Sequence, residues 1–329
     1  MKFKNLTLIY SIFIFLLCID IGSKNGDEDF VKESVTFYAK KEEGSNERIA
    51  RKGFLVKRRK APATVLILHG YGINKFDVAP FRLFFKDFNC LTFDFRGHGE
   101  NIEDQYCTIG HDEVFDLFAA VDFIRSQEDL KNKPIFIWAP SMGASTAIEA
   151  QSIDPNLCQG MFLDAPFPSS EEILKKGLEK MKVAILGYEF NIPGSGLLEK
   201  YGFHSYVQPV IKFLLKQIAK VDAMKISTFV KPIYPIESIK KVTIPCFFVT
   251  CKNDEKIPPE GVKQIFNNHP GIKRYWETGG RHHCDSLWEH PEKYAETVSK
   301  FFKDIATGKI YSQEKEIVIY DNEIGGDSK

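Results

Sequence analysis

Short, uninterrupted apolar runs punctuate this chain: ATVLIL at 63–68, CLTFDF at 90–95, PIFIWA at 134–139, GMFLD at 160–164 and IPCFFVT at 244–250. They are too brief for helices and lack the alternation of half-buried strands, so they predict strands covered on both faces, as in a largely parallel sheet. SVTFYAKK and IARKGFLVK alternate more and predict an opening pair of strands, with SNER as turn material between them. In HDEVFDLFAAVDFI the apolar Val114, Phe118, Val121 and Phe115, Ile124 recur at three- and four-residue steps behind an acidic first turn. That stripe predicts a helix packed on the sheet, and Pro259–Asn268 and Pro291–Ile305 predict two more. Strands alternating with helices make an α/β fold with helices on both faces.

The alternation breaks between Ala165 and about Ile236, where SSEEILKKGLEKMKVAILGYEF and YVQPVIKFLLKQIAKV read as helical and NIPGSG as a turn. The insertion follows a strand, and open parallel sheets bind ligands beyond the carboxyl ends of their strands. It reads as a lid over a site or as a plain structural extension. The expected layout is a core at 31–165, a helical cap at 166–236, the rest of the core at 237–307 and a tail at 308–329. In the tail, EIVIY reads as an edge strand or as a disordered run. At the amino terminus Lys2 and Lys4 precede an uncharged run from Leu6 to Ile19, and Gly22 and Ser23 follow the first acid, Asp20. Residues 1–23 thus have the charge order of a secretory signal peptide and imply export, with an uncleaved membrane anchor as the alternative. Leu17 is too bulky before Cys18 for a lipidation site.

Charge narrows the classes further, because 44 basic residues balance 44 acidic ones. Such a chain has no global field to draw nucleic acid or an anionic surface. The basic run around Arg51-Lys52 and Lys57–Lys60 reads as a solvated hairpin turn. Beyond Cys18 there are six cysteines, at 90, 107, 158, 246, 251 and 284. Export would permit disulfides among them, but their spacing matches no metal knuckle or redox motif and singles out no pairing.

The candidate chemistry lies where PIFIWA meets PSMGAST. A serine at a strand-to-helix junction can be a helix cap, but that leaves Ala139 and Gly143 on either side of Ser141 unexplained. Small residues there permit an abrupt turn that holds the middle residue out at the sheet edge, giving A-x-S-x-G where the first position is usually Gly. Pro140 favours extended backbone at Ala139, and the amide of Met142, at a helix start, can donate to an oxyanion. A serine needs a base and an acid from other strand ends. Asp254 follows the strand at 244–250, and adjacent His282 and His283 follow YWE; 29 residues separate Asp254 from His283, enough for one helix and one strand. Asp164, ending GMFLD, is a rival acid.

With LHGYG at 68–72, DFRGHG at 94–99, APSMGAS at the junction, NDEKIPP at 253–259 and the late histidine loop, the chain from about Phe54 to Phe302 resembles an α/β-hydrolase. The kind it resembles is that of serine esterases, lipases and aminopeptidase-like enzymes with a helical cap. The resemblance implies Ser141 as nucleophile, Asp254 as acid, and the backbone amides of Tyr71 and Met142 as oxyanion hole. It implies His283 as base, with His282 as the alternative. No cofactor or metal is implied. Arg96 and His98 read as loop fasteners and His69 as a brace of the oxyanion loop. The expected activity is cleavage of a small-molecule or lipid-like carboxylic ester. Amide or thioester cleavage is the alternative, and a non-catalytic binding protein of the same fold is a further one. No nucleic-acid partner is expected, and membrane contact only through residues 1–23. Apolar residues of the insertion, such as Val183, Ile185, Phe190 and Leu214, are expected to wall the acyl site.

Overall fold

The computed structural model describes residues 30–100, 105–179, 182–185, 188–191, 209, 213, 216 and 232–321. The amino-terminal charged and apolar segment and most of the second expected cap helix lie outside these residues. In chain order the first elements are β1 (Phe30–Lys40), β2 (Arg48–Arg58), β3 (Thr64–Ile67), α1 (Lys75–Val78), a 3-10 turn (Ala79–Phe85) and β4 (Asn89–Phe93). Then come α2 (Glu113–Ser126), β5 (Ile135–Pro140), α3 (Ser141–Ile153), β6 (Gly160–Asp164), α4 (Ser170–Glu179), β7 (Lys182–Ile185) and β8 (Tyr188–Asn191). The chain continues with α5 (Pro235–Ser238), β9 (Cys246–Cys251), α6 (Pro259–Asn268), β10 (Lys273–Thr278), α7 (Ser286–Glu289), α8 (Pro291–Ala306) and β11 (Glu316–Tyr320).

Among the described residues nine strands form one sheet in the order β1-β2-β4-β3-β5-β6-β9-β10-β11. β2 is antiparallel to β1 and β4, and every pair from β4 to β11 is parallel. Successive strand residues point to opposite faces, which is why the apolar runs had to be continuous. Leu66, Leu91, Ile137, Met161 and Phe248 join a core shared with α2, α3 and α6. Their neighbours Val65, Cys90, Phe136, Phe162 and Phe247 join a second core with the 3-10 turn and α8. The chain leaves β3 for β4 on one side and returns to β5 on the other. The loops after β3 and β5 therefore part at a crevice on the carboxyl edge.

Two expectations change and an open one is decided. Arg51 is not solvated: it lies in β2 opposite Phe37, is 3% exposed, and has Asp116 of α2 3.9 Å from its Nε. The alternation of β2 turns this side chain toward the helix layer, where Asp116 and Gln105 meet it. The helix expected from 169 to 190 stops at Glu179, and 182–185 pairs with 188–191 as an antiparallel hairpin. Val183, Ile185, Tyr188 and Phe190 are β-branched or aromatic residues with a period of two, and that local preference prevails over the helical reading. EIVIY forms β11, the parallel edge strand beside β10.

Candidate active site

β5 enters α3 at Ser141, whose φ is +50°. A non-glycine residue in the left-handed region costs about 1–3 kcal/mol and persists only where its surroundings hold it. Gly143 is one of those surroundings. A Cβ there would lie 2.7 Å from the His69 carbonyl oxygen and 3.1 Å from the Leu68 Cβ, so a side chain would push α3 off the end of β3. Ala139 is fully buried beneath the turn. No side chain caps the start of α3, and the Ser141 hydroxyl is engaged elsewhere.

Ser141 Oγ lies 2.8 Å from Nε2 of His283, and Nδ1 of His283 lies 2.7 Å from Oδ2 of Asp254. The other Asp254 oxygen accepts the amides of Lys256 and Ile257 at 2.9 and 3.0 Å, so the buried carboxylate is fixed by its own turn. With the imidazole neutral, its Nδ1–H donates to Asp254 Oδ2, which leaves the Nε2 lone pair to accept the serine O–H. The structure thus brings Ser141, His283 and Asp254 together, whereas the side chain of His282 is exposed. Cys284, next along, also has a positive φ, 56°.

The loop after β3 closes on the serine, since a Cβ on Gly70 would sit 3.5 Å from that of Ser141. Tyr71 is the next residue, so its backbone and that of Met142, in the first turn of α3, flank Ser141. Two buried histidines hold this loop. His69 Nε2 accepts the Phe95 amide at 2.9 Å, so Nδ1 carries the proton and donates to the Gly70 carbonyl at 2.8 Å. Burial, with His98 close by, lowers the His69 pKa to about 3, and it stays neutral. His98 Nε2 accepts the Gly72 amide at 3.1 Å and its Nδ1 donates to the Arg96 carbonyl. Arg96 donates from Nε and Nη2 to both Asp116 oxygens, at 3.1 and 2.8 Å, and its guanidinium also reaches the carbonyls of Lys40 and Lys41.

Asp164 ends β6 in register with Pro140 and so stands beside the junction, but its Oδ2 accepts from the Tyr294 hydroxyl at 2.9 Å rather than from His283. The carboxylate placed against His283 is that of Asp254.

A cavity of about 500 Å³ opens over Ser141, walled in part by Phe76, Phe81, Trp138, Leu287 and Trp288. These walls belong to the α1 region, β5 and α7, not to the insertion. The insertion side chains expected to do this work lie outside the described ones, apart from Phe213, which is 61% exposed. Sequence reasoning passed over Phe81, which packs edge-on against Trp138 at 5.0 Å, and Trp288 at 6.2 Å from it. The only signal was the density of aromatic residues in segments read as connectors. Tyr294 was passed over as well, because the stripe of α8 gives an equal account of it as plain core. Among the described residues no cluster of three or more His, Cys, Asp or Glu could hold a metal ion. The six described thiols are all free.

With this geometry in place, likeness to known proteins can be stated. A family model described as serine aminopeptidase, S33 (Hydrolase_4) matches residues 59–189, which include the loop after β3 and the Ser141 junction. The uncharacterized protein YqkD of Bacillus subtilis is 24% identical over 257 residues, 77% of this chain and 75% of that relative. The esterase Pf2001 of Pyrococcus furiosus superposes with a TM-score of 0.59 at 22% identity, covering 83% of this chain and 92% of its own. The peroxisomal α/β-hydrolase Lpx1 of Saccharomyces cerevisiae superposes at 0.56 with 15% identity, covering 86% and 91%. The chain has the α/β-hydrolase fold.

Proposed function

We propose that this protein is a serine hydrolase that cleaves carboxylic esters bearing an apolar group. The observation that carries the reading is the continuous line Ser141 Oγ, His283 Nε2, His283 Nδ1, Asp254 Oδ2, at 2.8 and 2.7 Å, on a serine held at positive φ. In this reading the ester carbonyl enters between the backbones of Tyr71 and Met142. Ser141 Oγ attacks the carbonyl carbon while His283 takes its proton, and Asp254 stabilises the imidazolium. Each amide that donates to the oxyanion contributes about 3 kcal/mol in the transition state. The C–O bond breaks as His283 returns the proton to the leaving alcohol. Water, deprotonated by the same histidine, then releases the acid and restores Ser141.

The cavity supports an apolar substrate group. Phe76 is 53% exposed and Trp288 45%, yet Phe76 is held in place by Phe54 at 5.3 Å and by the Lys75 ammonium at 4.5 Å. Apolar surface kept beside a nucleophile gains about 25 cal/mol per Å² when a ligand covers it. Amide cleavage is the second reading, favoured by the family description as serine aminopeptidase. The proposal also carries export, through residues 1–23, which the intact mass of the mature protein would report as a loss at the amino terminus.

A fluorophosphonate probe should label the protein and fail to label Ser141→Ala; an unlabelled parent protein overturns the reading. On p-nitrophenyl esters His283→Ala should lower kcat about 10⁴-fold or more, while His282→Ala stays within a few-fold. Faster turnover of p-nitroanilides than of the matched esters would favour the amide reading.

A further inference from the structure

One buried carboxyl beside the site has no part in the proposed mechanism. Asp164 is 2% exposed, stands level with Pro140 on the neighbouring strand, and lines the same cavity as Ser141 and His283. Its Oδ2 accepts from Tyr294, whose oxygen in turn accepts the Trp138 indole N–H at 3.1 Å. That order of donors makes Tyr294 a donor to Asp164, a bond that favours the carboxylate. Its Oδ1 is buried with no hydrogen-bond partner among the described residues. An acceptor for Tyr294 needs only one oxygen, and an amide or hydroxyl would serve. Burying a carboxyl with a bare second oxygen is a costly way to make that bond.

We propose that Asp164 is a positioning residue for the base: a second carboxyl whose ionisation sets the electrostatic support that the His283 imidazolium receives during turnover. The inference rests on the serine-hydrolase reading above. The titratable groups that face Asp164 are Tyr294 from α8, His283 and Cys284 from the histidine loop, and Asp254 and Cys251 from the end of β9 and the turn after it. Of these, His283 is the one that becomes cationic when Ser141 loses its proton. Asp164 as carboxylate then adds to the charge of Asp254; Asp164 as neutral acid does not. Burial pushes the Asp164 carboxyl up to about 7, against the pull of the Tyr294 bond and of His283, so both forms exist near neutral pH. The ionisation of Asp164 therefore falls within the working pH range and shapes the acid limb of the rate profile.

The test is the pH dependence of kcat and kcat/KM on a p-nitrophenyl ester from pH 5 to 9.5, for the parent protein, Asp164→Asn and Tyr294→Phe. The parent acid limb should be broader than a one-proton limb, because an ionised Asp164 makes the imidazolium harder to deprotonate. In Asp164→Asn it should become a one-proton limb with its midpoint about one pH unit lower. The high-pH plateau should fall by up to about tenfold, because the carboxylate that stabilised the imidazolium during turnover is gone. Tyr294→Phe keeps the carboxyl but removes the donor that favours its ionised form. Its activity should match the parent near pH 9.5 and fall most between about pH 7 and 8, where the parent carboxyl is ionised and that of the variant is not. Superimposable normalised profiles for Asp164→Asn and the parent, or a Tyr294→Phe loss equal at every pH, would mean that the carboxyl is only a structural acceptor. If Asp164→Asn does not fold, the Tyr294→Phe profile decides alone. Probe labelling of the parent protein separates the two failures: labelled enzyme with unchanged profiles sinks only the role of Asp164, whereas an unlabelled parent sinks the hydrolase reading itself.

Discussion

At the scale of single residues, the conformation of Ser141 matters as much as its hydroxyl. A φ of +50° holds the side chain out at the strand edge, and the strain is borne by neighbours that leave the backbone no other course: Ala139 buried beneath it and Gly143 pressed on the His69 carbonyl. Strain of this kind is separable from chemistry. Ser141→Ala and Ser141→Gly both remove the hydroxyl, but only glycine enters the left-handed region without steric cost. Ser141→Gly should therefore melt above Ser141→Ala, by a difference on the order of 1 kcal/mol. Equal melting curves would show that the junction stores no strain. The same residue shows what the chain discloses directly. Small residues on both sides of a serine, between an apolar strand and a small-residue helix, suffice to suggest the turn. Which of two adjacent histidines meets it does not follow from spacing, because consecutive side chains in an irregular loop diverge by angles that only the folded loop defines.

At the scale of elements, the loop after β4 and helix α1 form a unit around a buried ion pair. Lys75, 1% exposed, places Nζ 2.5 Å from Asp94 Oδ2, and Asp94 also accepts the amides of Lys75 and Glu100 at 2.8 and 3.2 Å. Asp94→Ala would leave an ammonium buried beside the aromatic wall of the cavity with Glu100, at 3.2 Å, as its remaining carboxylate among the described residues. Breaking such a pair costs about 3–5 kcal/mol. Denaturant midpoints should show that loss, and adding Lys75→Met should recover part of it; a double variant no more stable than Asp94→Ala would show that the charge itself is not the cause. This pair was hidden in DFRGHG and NKFDV, where polar residues between strands look like solvated turn. Glu113 was hidden in the same way. It reads as a helix-dipole partner, yet it is fully buried and accepts the amides of Thr108 and Gly110 at 2.9 and 2.7 Å. Strands β3, β4, β5, β6 and β9 were legible because burial on both faces leaves a continuous apolar run, and helices α2, α6 and α8 because one face leaves a stripe. Buried polar partners leave no periodic trace, since their burial is compensated by residues distant in sequence: Arg51 by Asp116, Lys75 by Asp94, Asp164 by Tyr294.

At the scale of the whole molecule, these buried groups set how stability follows pH. His69 and His269 are neutral in the fold because burial lowers their pKa values to about 3 and about 4, from 6.5. The unfolded chain binds those two protons below pH 6.5 and the folded chain does not, so their contribution is present above 6.5 and lost as pH falls. Asp164 has the opposite sign. Burial raises its carboxyl from 3.8 to about 7, so the folded chain holds a proton that the unfolded chain releases, and stability is lost as pH rises through that window. Between pH 4 and 6.5 two protons favour unfolding in acid and one opposes it. The net slope from these three groups is about 1.4 kcal/mol per pH unit, with stability rising toward neutrality. Removing the opposing proton with Asp164→Asn should roughly double that slope. Every other titratable group is common to both proteins, so the difference between their melting curves isolates Asp164. Thermal melts from pH 7 to 5 should thus show a steeper fall for Asp164→Asn than for the parent, together with a gain for the variant above pH 7, where the parent must bury a charge. Parallel curves would mean that Asp164 is ionised in the fold throughout this range, and would remove its proton from the account of both stability and rate.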